Sequence, residues 1–310
     1  MMAKRRGTRL HIKHVAVAAM VLIAASAVLV FVVSKPQSLF EDGTKLNTAW
    51  RSEVPDPRES YLSKIPKVIW QTVKSHDVPE AAAEAGLSWS RLNPTWDRVV
   101  LDDAEVLEFV RHFYNETEYK IFQNLPIGVM KADFFRYMVI YQFGGVYADA
   151  DTTNFQRIEN WIARDCEFVV APEDNDMFFC QWAFAAAPRH PIFKRLVERI
   201  FERLSGNVDY TYEHFVHEYT GPAAFTHSIR EVLGISPEEK LQTYILTEEA
   251  KAMRKDGICW KTMQELDAAL RNAFAHGKEE FLKDGWSNWL EEAGQMNDVA
   301  SGQAARASQN

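Results

Sequence analysis

Residues 15–33 (VAVAAMVLIAASAVLVFVV) are nineteen consecutive positions with no charge and a single hydroxyl. A helix rising roughly 1.5 Å per residue covers about 28 Å over that length, close to the hydrocarbon thickness of a bilayer. Such a run has no place on the surface of a soluble domain, so it divides the chain into a short head and a long body. The apolar core of a cleaved signal peptide is usually shorter, about 7–15 residues, and ends in a small-residue cleavage site. The run therefore reads as an uncleaved anchor, with a cleaved signal or a buried core helix as the alternatives. Lys4, Arg5, Arg6, Arg9 and Lys13 precede it without any acid, and only Lys35 follows closely. The positive-inside rule then leaves residues 1–14 as a cytosolic tail and carries the rest across the membrane, the topology of a single-pass type II protein.

The body has the composition of a globular domain: the chain is 47% hydrophobic and 25% charged, enough apolar side chain for a large core. Residues 15–310 hold 30 bases against 43 acids, a net charge of −13. That balance excludes nucleic-acid binding through a general basic field, and a phosphorylated ligand would need a metal ion to mediate its contact. Three cysteines, Cys166, Cys180 and Cys259, allow at most one internal bridge and read as buried thiols. Asn115-Glu116-Thr117 is an acceptor triplet for N-glycosylation, usable under the topology above.

Residues 34–64 are polar and carry Pro36, Pro55 and Pro57, the pattern of a stem, and a folded domain is expected over 65–294. An apolar strand over 65–72 (IPKVIWQT) precedes an alanine-rich helix over 79–92, a second strand over 95–101 and a helix capped by Asp102 or Asp103. This alternation predicts parallel β/α units and an α/β fold. Residues 125–143 (LPIGVMKADFFRYMVIYQF) are apolar on every face, which predicts a buried helix with Pro126 in its first turn and Gly144-Gly145 as its stop. Further strands and helices are expected over 146–148, 168–171, 191–204, 219–233 and 262–275, and residues 295–310 have the composition of a disordered tail.

Asp149-Ala150-Asp151 follows the strand after the buried helix and sets two hard-oxygen carboxylates two residues apart, the donor type that Mg²⁺ or Mn²⁺ prefers. The spacing alone is common, and Asp174-Asn175-Asp176 repeats it. Context singles out the first pair. Asp133 and Arg136 lie three apart on one face of the buried helix, which the glycine turn brings back beside the strand. Charges in so apolar a helix must be satisfied, either by each other or by a ligand in a cleft.

IPKVIWQT (65–72), VMKADFFRYMVIYQFGGVYADAD (129–151), FCQWAF (179–184) and TGPAAFT (220–226), in that order, resemble glycosyltransferase family 32. The glucosylating bacterial toxins share the helix-to-D-x-D arrangement. The resemblance implies a GT-A fold, a Rossmann-like nucleotide-sugar transferase domain behind the transmembrane helix, with Mn²⁺ or Mg²⁺ as cofactor. It assigns metal binding to Asp151, assisted by Asp149, and catalytic contact with the donor sugar to Asp133, Arg136 and Asp149. Tyr147 would pack beside that sugar, Trp70 would stack on the nucleobase, with an ordinary core tryptophan as the alternative, and Ser287 and Trp289 would close on the diphosphate. Gln181 and Trp182 would line the acceptor side. His276 reads as a surface residue, with a third metal ligand as the alternative. For the donor the resemblance implies GDP-mannose, and for the acceptor a mannose-containing glycan, an N-glycan core receiving an α-1,6 linkage in the Golgi. It leaves room for partner subunits of a mannosyltransferase complex, for inositol phosphoceramide as acceptor, and for a catalytically silent protein of the same fold.

Overall fold

The computed structural model describes residues 61–272 other than Ser63. The anchor over 15–33, most of the stem, His276, Ser287, Trp289 and the tail over 295–310 lie outside the described residues. Among the described residues no helix is long and apolar enough to cross a membrane.

Strand β1 (Val68–Thr72), helix α1 (Glu80–Leu92), strand β2 (Asp97–Leu101) and helix α2 (Asp103–Phe113) follow in the order that the alternation predicts. β1 and β2 pair in parallel, with Trp70 opposite Val99. Asp102 caps α2, its carboxylate accepting from the Ala104 and Glu105 amides while Glu105 returns a bond to the Asp102 amide. The reciprocal box satisfies two of the orphan donors at the helix start. Helix α3 (Glu116–Gln123) begins the same way on the exposed Asn115, whose side-chain oxygen accepts from Thr117 and Glu118.

Helix α4 (Gly128–Phe143) starts two residues beyond Pro126, which therefore sits in the lead-in and not in the first turn. It ends at Gly144, φ 68°, whose amide donates to the Ile140 carbonyl at 2.8 Å. Gly145 is also left-handed, φ 106°, and a Cβ there would lie 2.6 Å from the Val68 carbonyl oxygen. The two glycines thus turn the chain tightly enough for strand β3 (Gly145–Ala148) to run beside β1, Ile69 opposite Val146.

After strand β4 (Thr152–Asn154) come β5 (Phe168–Val170) and β6 (Ala183–Ala186), then helices α5 (Pro191–Leu204), α6 (Phe215–Tyr219) and α7 (Pro222–Leu233). Strand β7 (Ile258–Trp260), helix α8 (Met263–Ala269) and strand β8 (Leu270–Asn272) complete the described chain. The expected helix over 262–275 therefore stops early. Residues 270–272 pair antiparallel with β4, and Leu270 is fully buried there, so pairing and burial override helical composition.

The main sheet has the order β2-β1-β3-β6-β5-β7; three of its five neighbouring pairs are parallel, and β6 runs antiparallel to both its neighbours. This parallel-dominated sheet between two helical layers fits the expected Rossmann-like class. Strand residues alternate between two cores. Val68, Trp70, Tyr147 and Phe184 join α2, α4, α5 and α7 on one face, and Ile69, Val146, Ala148 and Ala185 join α1 and α8 on the other.

The cysteine expectation needs correction. Cys166 and Cys259 form a disulfide with Cα atoms 5.7 Å apart, and Cys180 alone remains a buried free thiol. The pairing depends on β5 and β7 lying side by side, Val169 opposite Cys259, a neighbour relation across 93 residues that sequence spacing does not reveal.

Candidate active site

The D-x-D motif occupies the turn just past β3, where the Thr152 amide donates to the Asp149 carbonyl at 2.9 Å. Asp149 is gripped from several directions. Its amide donates to the Trp182 carbonyl at 2.8 Å, at the start of the neighbouring β6. Its carbonyl also accepts from Gln71 Nε2 at 3.3 Å. Oδ1 of its side chain accepts from Arg136 Nη2 at 3.0 Å and from the Tyr147 hydroxyl at 2.9 Å.

Arg136 reaches the turn from α4 and is shared: Nη1 pairs with Asp133 Oδ1 at 2.8 Å and Nη2 with Asp149. The two readings of the Asp133/Arg136 pair thus hold together, since it neutralises a buried helix face and also orients the D-x-D turn. The side chains of Asp133 and Arg136 are 2% and 5% exposed, whereas that of Asp149 is 28% exposed, so the network opens outward at Asp149. The Tyr137 hydroxyl donates to Gln181 Oε1, and the Thr220 hydroxyl stands 3.5 Å from Asp133 Oδ2.

One guanidinium set against two carboxylates leaves an excess negative charge in a poorly hydrated place. Burial pushes Asp133 up to about 7, with Arg136 opposing and Asp149 reinforcing the rise. Burial raises Asp149 as well, against Arg136 and the Tyr147 hydrogen bond. Burial works against the charge of Arg136 too, yet Asp149, Tyr147 and Asp133 hold its pKa well above the ordinary value. Arg136 Nε is buried with no hydrogen-bond partner. Surplus carboxylate charge, hard oxygens on the half-buried Asp149 and Asp151, and an orphaned donor are what a divalent cation and an oxygen-rich ligand would satisfy. The residues present fit such a cation.

Three sequence expectations meet a different geometry. Trp70 is 1% exposed; its Nε1 donates to the Gly144 carbonyl at 2.9 Å, and its ring stacks on Phe143 at 5.6 Å. Strand alternation puts it in phase with Val68, beneath the helical layer, so it is a core tryptophan and does not present a face to a base. Tyr147 is fully buried, 5.0 Å below the Arg136 guanidinium, and serves Asp149 instead of packing on a ligand. Trp182 is 7% exposed, in the core of the opposite face, and contributes its carbonyl, not its ring.

Sequence reasoning missed Gln71, Arg98 and Thr220. Gln71 is fully buried and relays between the turn and Arg98, whose Nε donates to Gln71 Oε1 at 2.5 Å. Gly86 on α1 makes room for that guanidinium: a Cβ there would lie 2.2 Å from Nη2. A glutamine inside the apolar run VIWQT was the available signal. His76, Asp102 and Glu105 also bring ligand-type atoms within 4.8 Å of one another. That group is absorbed by the α2 capping box, with His76 Nε2 2.9 Å from Glu105 Oε2, and a helix N-terminus disfavours a cation.

Residues 79–168, which hold α1 through the D-x-D turn and on to β5, match the family described as the glycosyltransferase sugar-binding region containing the DXD motif. The likeness extends to individual proteins. The initiation-specific alpha-1,6-mannosyltransferase of Schizosaccharomyces pombe is 34% identical across 56% of this chain and 50% of its own length. The protein of the same description in Candida albicans is 24% identical across 54% and 53%. The inositol phosphoceramide mannosyltransferase 1 of Schizosaccharomyces pombe is 26% identical across 45% and 44%. The chain spans about half the length of the curated relatives it matches. Among solved structures, the PaToxG glycosyltransferase aligns with a TM-score of 0.43 and 13% identity, covering 76% of this chain and 88% of that one. The family match and these relatives bear out the resemblance to glycosyltransferase family 32 that the motifs carry.

Proposed function

We propose that this chain is a retaining, metal-dependent glycosyltransferase that moves mannose from GDP-mannose to a mannose-containing acceptor, forming an α-1,6 linkage on an N-glycan core. The observation that carries this reading is the single arginine shared by Asp133 and Asp149 directly beneath the D-x-D turn. Asp151 and Asp149 would hold the Mn²⁺ or Mg²⁺ ion. When bound, that ion supplies neutralisation of the charge left on the departing diphosphate. Arg136 opposes the penalty that burial puts on the Asp149 carboxylate and fixes its direction through the Nη2–Oδ1 contact, so the turn is pre-organised before donor arrives. Asp133, Arg136 and the neighbouring Gln181 offer the hydrogen-bonding groups that sugar hydroxyls need. Retention of configuration requires no base on the opposite ring face, and none is assigned.

Transport through the secretory pathway belongs to the same proposal: an anchor over 15–33, a stem over 34–64 and a lumenal catalytic domain over 65–294 of a Golgi protein. The relatives named for inositol phosphoceramide support a lipid acceptor as the second reading. The test measures donor hydrolysis and transfer with GDP-mannose, UDP-glucose and UDP-galactose, with Mn²⁺ and with chelator, offering mannose oligosaccharides and inositol phosphoceramide in parallel. Chelator-sensitive turnover of GDP-mannose with transfer to the oligosaccharide is the expected result. Turnover of a UDP-sugar alone, or turnover indifferent to chelator, would overturn it.

A further inference from the structure

A cavity of about 460 Å³ lies between α3, α4 and α5. Its volume falls within the roughly 300–1,000 Å³ typical of sites for small ligands. Tyr114, Ile121, Tyr141, Val197 and Phe201 give it apolar lining, while Lys194, Glu198 and Glu202, spaced four apart along α5, bring charge. Glu118 joins them, so three acids stand against one base and an anionic ligand is disfavoured. The Tyr114 hydroxyl is buried with no hydrogen-bond partner, which leaves an unmet polar group in the lining.

Asn115 and Thr117, the first and third residues of the acceptor triplet, line the same cavity. Asn115 is exposed, and the two ends of its amide have separate duties. Oδ1 caps α3, accepting from the Thr117 and Glu118 amides at 3.0 Å each. Nδ2 takes no part in the cap, and it is the atom that carries the sugar of an N-linked glycan. The glycosylated amide keeps its carbonyl oxygen, so modification and helix cap are compatible on one side chain.

We propose that Asn115 carries an N-linked glycan whose first N-acetylglucosamine units fold back into this cavity and cover it. The occupant is chosen by its chemistry and by its tether. An acetylated pyranose is neutral, offers an apolar ring face and a methyl group to Tyr141 and Ile121, and brings hydroxyl and carbonyl oxygens for the polar part of the lining. Attachment to a residue of the lining makes the contact intramolecular, at an effective concentration of about millimolar, so weak sugar contacts suffice. A free partner would have to win the same surface without that advantage. This assignment rests on the lumenal placement of the domain.

The test expresses the full-length chain through a secretory pathway as wild type, Thr117→Ala and Thr117→Ser. Thr117→Ala removes the hydroxyl that the acceptor triplet needs but leaves Asn115 to cap α3, and Thr117→Ser restores that hydroxyl. Thr117 is exposed, and circular dichroism checks that each variant is folded. Mass spectrometry reads the glycan at Asn115, and hydroxyl-radical footprinting reads the exposure of Tyr141 and Ile121. Wild type and Thr117→Ser are expected to carry the glycan and to protect both side chains, and Thr117→Ala to lose glycan and protection together. Protease protection of the domain in intact microsomes reads the topology separately. A protected domain without sugar at Asn115 would overturn the proposal alone. So would a glycosylated wild type whose Tyr141 and Ile121 label as fully as in Thr117→Ala, or protection that survives in Thr117→Ala and so belongs to a second copy or another partner. A domain digested in intact microsomes would bring down the lumenal reading, and this proposal with it.

Discussion

Replacing Asp133 by asparagine isolates what the site demands of the fold. Asp133 is 1% exposed, and its carboxyl is raised from 3.8 to about 7 in the folded protein. Because the native state binds this proton more tightly than the unfolded chain does, the linkage sign is fixed. Below about pH 4 both states are protonated and the group contributes no pH-dependent term. As pH rises from about 4 to about 7 the folded state alone resists ionisation, so stability drains away, and above about 7 the full penalty is present. At roughly 1.36 kcal/mol per unit, the shift is worth about 4 kcal/mol. Asparagine keeps an oxygen for Arg136 Nη1 and does not titrate. Urea unfolding of wild type and Asp133→Asn should therefore agree near pH 4 and diverge by up to about 4 kcal/mol near pH 8, with the variant the more stable. Donor turnover should fall in the same variant, marking a carboxylate kept for use and not for stability. A stability difference that does not change with pH, or a wild type that is the more stable at pH 8, would refute the reasoning.

Other expectations follow from single contacts. Asp151→Ala should abolish chelator-sensitive donor turnover with an unchanged circular dichroism spectrum, whereas Asp149→Ala should also lower the urea midpoint, because Arg136 loses one of its two partners. Gln71→Leu removes the donor to the Asp149 carbonyl and orphans Arg98 Nε, costing about 1–3 kcal/mol; Gly86→Ala, which crowds the same guanidinium, should lower the urea midpoint in the same direction. Cys166→Ser opens a loop of 93 residues and should cost about 4–5 kcal/mol, read as a lower urea midpoint matched by reductant on the wild type. Asn115→Gln should abolish any mobility shift produced by glycosidase treatment.

The helices were legible where their ends carry local chemistry. Asp102 before α2, Pro191 opening α5 and Gly144 closing α4 each fix a boundary through an adjacent backbone group, so neighbours in sequence suffice to place them. The end of α8 was not, because Leu270 answers to β4, more than a hundred residues earlier. The site divides along the same line. Asp133, Arg136 and Asp149 could be grouped from helical spacing and one tight turn. Gln71 and Thr220 join them only once β1 lies against β3 and α7 begins beside α4. Trp70 follows the same rule: the core alternative for it is decided by the side of β1 it shares with Val68, a face that only the assembled sheet defines.

The Cys166–Cys259 bridge also bears on how the domain is made. β7 is the outermost strand beside β5 and comes from a segment about ninety residues downstream, so during vectorial synthesis the sheet stands incomplete after β6 has paired. At about 5–20 residues per second, β5 keeps a free backbone edge for several seconds after it leaves the ribosome. An open edge of Phe168, Val169 and Val170 is the sort of template on which nascent chains associate. The bond can close only after Cys259 has been made, and once closed it secures the late-arriving strand. The bond itself needs oxidising conditions, so the last strand is locked in place only where those conditions meet the completed sheet.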